Sequence, residues 1–375
     1  VNNMEGKGSL RDVKERADTK ELKQELLSFL EDFNVRAVLT AHPTQFYPGS
    51  VLGIITDLTD AVRDNNLNKI KELLAQLGKT PFIKKEKPTP FDEAVSLIWY
   101  LENVFYQSSG EMLQYIQKNI FKDKPISNSI INLGFWPGGD RDGNPFVTTE
   151  ITLNVAERLR TSILKCYYSD IRKLKRKLTF SGIDAIISEL ENKIYRSVFY
   201  SQGTIYITLP ELKNKLNEIK SICIEKHQSL YLDDINDLIN KVNLFGFHFA
   251  SLDIRQNSKI HNHVIKTIFT SLGTAKEDYK NYFDFPDKKR FELLSKVSGN
   301  LTSDLFGDEM TKQTLDSIFA MKKIQENNGE LGANRYIISN NESALNVMET
   351  FTLFRLCNWK NPTVDIVPLF ESIDD

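Results

Sequence analysis

Chemically capable side chains follow four short apolar segments of this 375-residue chain. They are His42, Arg141, Arg255 and Glu371. An imidazole can act as a base near neutral pH, a guanidinium group binds phosphate or carboxylate, and a carboxylate binds a hard divalent cation such as Mg²⁺. Together, these residue types are suited to metal-assisted chemistry on a phosphorylated or carboxylated small molecule.

His42 follows a segment that predicts a buried strand. The segment Val35–Leu39 is short, apolar and partly β-branched. Because Pro43 disfavours the α region for the residue before it, His42 is expected to leave the strand in an extended conformation. A histidine that only caps a loop is the simpler interpretation of this residue taken alone. The same arrangement recurs after other strands, which favours a functional role at a strand's carboxyl end.

A second apolar segment, 130–136, leads into a turn rich in glycine and proline (residues 137–145), which we call the glycine-rich turn. Its composition predicts a tight, irregular conformation. Arg141 lies in it between Asp140 and Asp142. The guanidinium group suits a phosphate or carboxylate ligand, and the two aspartates could orient Arg141 or hold neighbouring loops. A flexible surface turn is the alternative interpretation.

Three further apolar segments predict strands over 244–253, Arg335–Ser339 and 364–370, and Arg255 and Glu371 follow the first and the last of them. In a parallel barrel all these strand ends face one mouth. The sequence therefore predicts an α/β, predominantly helical fold, namely an incomplete TIM-like β/α barrel of about five strands with large helical insertions. Residues 1–375 are expected to form the N-terminal part of a single barrel and helical domain, with the remaining strands beyond residue 375.

Most of the remaining chain has apolar residues at helical spacing among charged ones. The predicted helices span 9–33, 52–77 with an interruption near 64–66, 92–120, 149–178, 182–241 with a break near 201–203, 259–272 and 344–357. His261 and His263 lie on one of these helices, but their spacing of two residues does not share a face, so a metal pair is not expected. His248 alternates with phenylalanines and is interpreted as a core or ligand-face residue.

Composition excludes several classes of function. The formal net charge of -2 argues against a nucleic-acid partner, and no apolar segment approaches the ~18 residues that span a membrane. The three widely spaced cysteines are interpreted as reduced core thiols of a cytoplasmic protein. The start of the chain has the pattern of neither a signal nor a transit peptide. No Walker loop, dinucleotide fingerprint, Ser-His-Asp signature or zinc spacing is present.

Five segments, in family order and covering nearly the whole chain, resemble motifs of the phosphoenolpyruvate carboxylase family. They are VLTAHPT from residue 38, GGDRDGNP from 138, LDIRQ from 252, YIIS from 336 and VPLFE from 367. The resemblance implies a lyase with an eight-stranded, mostly helical barrel fold. Its expected reaction is the carboxylation of phosphoenolpyruvate by bicarbonate to oxaloacetate and phosphate, an anaplerotic fixation of CO₂ into the tricarboxylic acid cycle.

The resemblance also implies roles for the residues singled out above. His42 would be the base that deprotonates carboxyphosphate, so that CO₂ is released beside the enolate of pyruvate. Arg255 would bind the substrate phosphate, and Arg141 would stabilise an anion. Glu371 would be one of two carboxylates that bind Mg²⁺ or Mn²⁺. Family members are usually homotetramers, whereas the oligomeric state of this chain is left open.

Three departures from the family pattern bear on activity. Gln45 and Asn257 stand where the family commonly has glutamate, and the chain ends before the family's later motifs. Those motifs supply the second metal carboxylate, a glycine-rich basic loop and further phosphate-binding arginines. We therefore expect the chain to be part of the enzyme and inactive alone. The alternative is a truncated or degenerate, non-catalytic homologue that acts as a binding or regulatory partner.

Overall fold

The computed structural model describes residues 6–40, 48–82, 88–121, 130–142, 144–200, 205–272 and 277–370. His42, Gln45 and Glu371 lie outside these ranges. Within them the chain is mostly helical and carries six short strands, which agrees with the predicted α/β, predominantly helical class. No described helix combines the length and the apolar character needed to cross a bilayer.

Every described strand runs parallel to its neighbours. The strands are β1 (Val35–Leu39), β2 (Ile131–Phe135), β3 (Ser251–Leu252), β4 (Ile254–Asn257), β5 (Arg335–Ser339) and β6 (Asp365–Pro368). They form two three-stranded sheets, in the orders β1-β2-β3 and β4-β5-β6. Only Asp253 separates β3 from β4, so the chain passes from one sheet into the other without a loop.

Backbone pairing continues past the end of β2 into the glycine-rich turn. The N–H of Trp136 donates to the carbonyl of Leu39 at 2.9 Å. The N–H of Arg255 donates to the carbonyl of Gly139, and the N–H of Arg141 donates to the carbonyl of Arg255, both at 3.0 Å. The turn is therefore hydrogen-bonded to β4 and does not project freely into solvent.

Helices fill most of the other described residues. They are α1 (Leu10–Thr19), α2 (Lys23–Asp32), α3 (Gly49–Arg63), α4 (Leu67–Lys79), α5 (Pro90–Tyr100), α6 (Tyr106–Asn119), α7 (Thr149–Lys177), α8 (Asp184–Phe199), α9 (Leu209–Lys226), α10 (Leu232–Phe245), α11 (Ser258–Leu272), α12 (Glu277–Lys280), α13 (Asp287–Lys296), α14 (Glu309–Asn328) and α15 (Ala344–Leu356). A π-helical segment, Leu101–Phe105, joins α5 to α6.

The long helix α7 connects the glycine-rich turn to the core. It begins after Thr148, whose hydroxyl accepts a hydrogen bond from the N–H of Ile151, a common N-cap arrangement. Apolar side chains recur along it every four residues and are fully buried, which is the stripe expected of a helix that faces a core. They are Val155, Leu159, Ile163, Tyr167 and Ile171. The same apolar core includes Phe135 of β2 and Ile254 of β4, so α7 and the site-bearing strands pack as one unit.

The predicted strand over 244–253 is wrong for most of its length. Residues 244 and 245 end α10, and the chain then turns through Gly246 and Phe249, both with positive φ angles of 48° and 63°. The alternating rings that predicted the strand are all buried, with Phe245 at the end of α10 and Phe247 and Phe249 in the turn. His248 lies there too, and burial, with help from Arg36 and Lys213, lowers its pKa to about 4.

Other differences concern where helices begin and end. The predicted helix over 9–33 is two helices, because Glu21 adopts a positive φ of 58°. The predicted break near 201–203 lies outside the described residues, and an unpredicted one separates α9 from α10. The helix predicted to begin at residue 92 begins at Pro90, with Thr89 as the N-cap of α5, and Asp92 completes the capping box. The chain's three cysteines form no disulfide, in agreement with their interpretation as core thiols.

Gly139 is required where the glycine-rich turn crosses β4. A Cβ atom at this position would lie 2.1 Å from the backbone carbonyl oxygen of Asp253, which cannot move without breaking the sheet. We expect Gly139→Ala to lower the free energy of unfolding by about 1–3 kcal/mol, measured by urea denaturation. Gly53→Ala is the control, because nothing lies within 4 Å of its Cβ position in α3, and it should stabilise by up to about 1 kcal/mol. Equal stability of Gly139→Ala and the parent would contradict this account.

A buried histidine links α11 to β5 and α15. His261 is fully buried, and its ring nitrogens lie 3.0 Å from the Tyr336 hydroxyl and 3.1 Å from the Thr350 hydroxyl. Burial lowers its pKa to about 3. The unfolded chain therefore binds one more proton than the folded chain between about pH 3 and the ordinary histidine pKa of about 6.5. This histidine consequently makes the protein less stable as the pH falls through that range.

We expect His261→Gln to make the pH dependence of stability shallower. The parent should lose about 1.4 kcal/mol per pH unit more than the variant below about pH 6, because only the parent's unfolded state takes up this proton. Urea denaturation of both proteins at several values between pH 4.5 and pH 7.5 measures the difference. Parallel curves for the two proteins would contradict the assignment of a neutral, buried His261.

Candidate functional site

The best-defined polar cluster lies where the glycine-rich turn meets β4. The Arg255 Nε donates to Asp140 Oδ1 at 2.8 Å, and its Nη2 donates to Asp142 Oδ2 at 3.0 Å. All three side chains are less than one-fifth exposed. The amide of Asn257, two residues further along β4, also donates to Asp142, at 3.3 Å. One guanidinium group thus fastens both carboxylates of the turn to the strand.

An aromatic ring covers the guanidinium group. The guanidinium carbon of Arg255 lies 5.2 Å from the centroid of the Trp136 ring, within the range of a cation–π contact. The indole N–H of Trp136 donates to Asp253 Oδ2 at 3.1 Å, and the other oxygen of Asp253 pairs with Arg36 of β1. Burial raises the pKa of Asp253 to about 6, although Arg36 opposes that shift. The cluster therefore has two ionic layers, with the indole between them.

Thr152 fixes the start of the glycine-rich turn to the first turns of α7. Its hydroxyl donates to the carbonyl of Gly138 at 2.6 Å. Gly138 has a φ of 82°, and a Cβ there would lie 2.6 Å from a methyl group of Val155. The turn is therefore held by β2 before it, by α7 after it and by Arg255 from the side.

Arg141 points away from this cluster. Its Nη1 donates to the carbonyl of Gln313 in α14 at 2.6 Å, and its Nη2 lies 3.4 Å from the side-chain oxygen of the same residue. Burial lowers the pKa of its guanidinium group. The structure thus brings Arg141 and Arg255 together in the backbone but directs their side chains differently. The role of Arg141 in stabilising an anion stays a prediction.

A cleft of about 540 Å³ opens beside Trp136 and Arg255. Its walls combine apolar side chains with four charged groups, which are Arg255, Asp140, Asp142 and Glu93 of α5. The lining residues are Pro88, Thr89, Pro90, Glu93, Trp136, Pro137, Gly138, Asp140, Asp142, Asn144, Phe146, Val147, Ile151 and Arg255. With one guanidinium group and three carboxylates, the described cleft does not by itself attract an anion, and a phosphate bound there needs further positive charge.

Trp136 and Glu93 are among the cleft residues that sequence reasoning missed. Trp136 is the last residue of the predicted segment 130–136. Its position directly before the glycine-rich turn is the sequence signal that could have identified it as a site residue. Glu93 lies more than forty residues from the turn and on a separate helix, so no local pattern connects it to the site. Only the three-dimensional fold shows that Glu93 lies beside the turn.

The described residues do not form a metal centre on their own. Within the described ranges, no group of three or more His, Cys, Asp or Glu side chains converges. Asp140 and Asp142 are adjacent carboxylates, but both are paired with Arg255. Mg²⁺ commonly binds one or two carboxylates together with water and substrate oxygens. Glu371, the predicted metal ligand, and His42, the predicted base, both lie outside the described residues.

The fold and the cluster define an α/β protein with parallel strands whose ends carry an arginine held between carboxylates. A family model for phosphoenolpyruvate carboxylase matches residues 2–201 and 186–375. The chain therefore belongs to the phosphoenolpyruvate carboxylase family.

Individual relatives named phosphoenolpyruvate carboxylase agree with this assignment. The protein from Nitrosomonas eutropha is 28% identical over 417 residues, and the alignment covers 94% of this chain and 44% of the relative. The protein from Shewanella loihica is 26% identical, with 93% and 44% covered, and that from Vibrio atlanticus is 26% identical, with 92% and 44% covered. The chain thus spans less than half the length of the curated relatives it matches.

Replacing Arg255 with lysine should weaken the site more than its charge suggests. A lysine keeps the positive charge but has no planar fork that can bind Asp140 and Asp142 at once. We expect Arg255→Lys to cost about 2 kcal/mol of unfolding free energy, measured by urea denaturation at pH 7. Arg63→Lys is the matched control, because its ion pair with Asp60 is largely exposed and should contribute almost nothing. If both variants unfold at the same urea concentration, Arg255 does not hold the turn.

Proposed function

We propose that this chain is part of a phosphoenolpyruvate carboxylase, an enzyme that converts phosphoenolpyruvate and bicarbonate to oxaloacetate and phosphate. The observation that carries the proposal is the ionic contact between Arg255 and the glycine-rich turn. It joins two of the segments that resemble family motifs into one cluster beside a cleft. The family match over nearly the whole chain supports the same conclusion.

The proposed reaction has two steps whose charges suit the residues. First, a bicarbonate oxygen attacks phosphorus and the bond to the enol oxygen breaks, giving carboxyphosphate and the enolate of pyruvate. His42 then takes the proton of carboxyphosphate, the carbon–oxygen bond to phosphate breaks, and the enolate carbon attacks the released CO₂ to form oxaloacetate. Arg255 would neutralise phosphate charge, since phosphoryl transfer depends on positioning and charge neutralisation.

A divalent cation fits the charge balance of the cleft. The one guanidinium group faces three carboxylates there, so a phosphorylated carboxylic acid needs an added cation to bind. Bound Mg²⁺ or Mn²⁺ would supply that charge and polarise the substrate oxygens. Glu371 would be one ligand, with the remaining ligands from substrate, water and residues outside the described ranges. The role of the described residues would be to position Arg255 through its contacts with Asp140 and Asp142.

The described strands are proposed to be part of an incomplete TIM-like β/α barrel. Within each of the two sheets, sequential strands lie side by side and parallel, as they do in such a barrel. The other strands and binding residues would come from the rest of the enzyme, so we propose that residues 1–375 are inactive alone. In the complete enzyme a homotetramer in the cytoplasm is the expected state. No described residue favours the alternative of a non-catalytic partner.

The test is oxaloacetate formation from phosphoenolpyruvate, bicarbonate and Mg²⁺, measured for residues 1–375 and for a longer polypeptide that contains them. We expect the longer polypeptide to be active. His42→Ala in it should form no oxaloacetate while still releasing phosphate, because the first step does not need the base. The shorter chain should show no rate above background.

The matched control for this assay is His263→Ala. His263 is exposed on α11, where it pairs with Asp308 at 3.1 Å and does not line the cleft. This variant should keep the parent's rate. A well-folded longer polypeptide without activity would refute the carboxylase function, and a normal rate in His42→Ala would refute the role of the histidine. Oxaloacetate formation by residues 1–375 alone would refute the need for the rest of the enzyme.

A further inference from the structure

Three residues in or next to the strands form a buried contact beside the cleft, namely Arg36 in β1, Trp136 directly after β2 and Asp253 between β3 and β4. Asp253, between β3 and β4, is only 2% exposed and pairs with Arg36 of β1. Its second oxygen accepts the indole N–H of Trp136 at 3.1 Å. The Trp136 ring also lines the cleft, and its centroid lies 5.2 Å from the Arg255 guanidinium carbon. The buried ion pair and the guanidinium group in the cleft are thus connected through a single side chain.

We propose that Asp253 and Arg36 are positioning residues, which orient the Trp136 indole and, through its ring, the Arg255 guanidinium group in the cleft. A single hydrogen bond to Asp253 Oδ2 sets the plane of the indole, since its other edge offers no polar atom. Arg36 in turn fixes the carboxylate that accepts this bond. Asp140, Asp142 and the ring of Trp136 then all contribute to the orientation of Arg255.

The backbone provides room for this arrangement. Gly134 of β2 lies opposite Val38 of β1. A Cβ atom at Gly134 would be 2.9 Å from Arg36 Nε. The Cβ of any residue other than glycine at this position would therefore displace the guanidinium group that pairs with Asp253. An ion pair that only stabilised the sheet would not need to reach the indole. The bond from Trp136 to the second oxygen makes the pair part of the site.

Other charged groups also face the pair and bear on its test. Arg335 at the start of β5 lowers the pKa of Asp253, although burial outweighs it and raises that pKa to about 6. Asp365 of β6 lies 3.6 Å from Arg335 and is mostly exposed. His248 faces Arg36, which contributes to lowering the pKa of that histidine. Above the indole, the charged groups are Arg255 and the two carboxylates that bind it.

The orientation of the indole can be measured without any enzymatic activity. The chain has three tryptophans, so Trp99→Phe with Trp359→Phe leaves Trp136 as the only indole. We expect its fluorescence to change in one step with a midpoint near pH 6, as Asp253 takes up a proton and its bond to the indole changes. Asp253→Asn in this background should remove the step, whereas the control Asp365→Asn should keep it. A step that persists in Asp253→Asn, or no step in the parent, would overturn the proposal.

The consequence for catalysis rests on the proposed carboxylase function. In the active polypeptide, Asp253→Asn should raise KM for phosphoenolpyruvate about tenfold with little change in kcat, because Arg255 keeps its charge but loses its orientation. Asp365→Asn should leave both constants unchanged. If Asp253→Asn does not fold, because Arg36 is left unpaired, the double variant Arg36→Met with Asp253→Asn removes both charges and should show the same two effects.

The two sets of measurements separate the two hypotheses. A fluorescence step that depends on Asp253, in a polypeptide that forms no oxaloacetate, supports the positioning role and refutes the carboxylase function. An active polypeptide in which Asp253→Asn changes neither the fluorescence step nor KM refutes the positioning role and leaves the function standing. A fall in kcat with unchanged KM would also refute it, because the effect would then lie in the chemical steps and not in substrate binding.

Discussion

The contact between Arg255 and the carboxylates of Asp140 and Asp142 is the interaction on which the site depends. Ion pairs on an exposed surface contribute little, but these side chains are less than one-fifth exposed and the hydrogen bonds are 2.8 and 3.0 Å long. Removing the guanidinium group would leave two carboxylates close together without a counter-ion. The glycine-rich turn would then lose the contact that fastens both of its carboxylates to β4.

The surrounding fold makes this contact specific. β2 sets where the turn begins, and α7 sets where it ends, because the apolar stripe of α7 packs into the same core as the strands. The hydroxyl of Thr152 ties Gly138 to α7, and Gly139 allows the turn to cross Asp253 closely. A turn rich in glycine, which would cost much entropy to order alone, is thus fixed at several points. Rigid support of this kind is what a binding or catalytic group requires.

How far the sequence predicts this arrangement depends on the distance between the partners. The bounds of the short strands at Val35–Leu39 and Arg335–Ser339 were predicted correctly, since each is a local apolar run with clear limits. The predicted burial of the first strand is wrong, because Val35 is 47% and Val38 is 40% exposed. Asp140 and Asp142 were expected to orient Arg141 or to hold neighbouring loops, and in the structure they bind Arg255, more than a hundred residues away. The strand predicted over 244–253 is wrong except at Ser251–Leu252, because alternating rings are buried in a helix end and a turn as readily as in a sheet.

Under the proposed function, the charges of the cleft explain why the described residues would form only part of a catalytic unit. Arg255 is already matched by two carboxylates, and Glu93 adds a third. A substrate that carries both a phosphate and a carboxylate would be repelled from such a cleft unless positive charge came from elsewhere. Under the proposed function, a divalent cation and the further arginines that the family resemblance implies supply it. The carboxylates then have a defined purpose, because they orient Arg255 while the added cation determines whether an anion can enter.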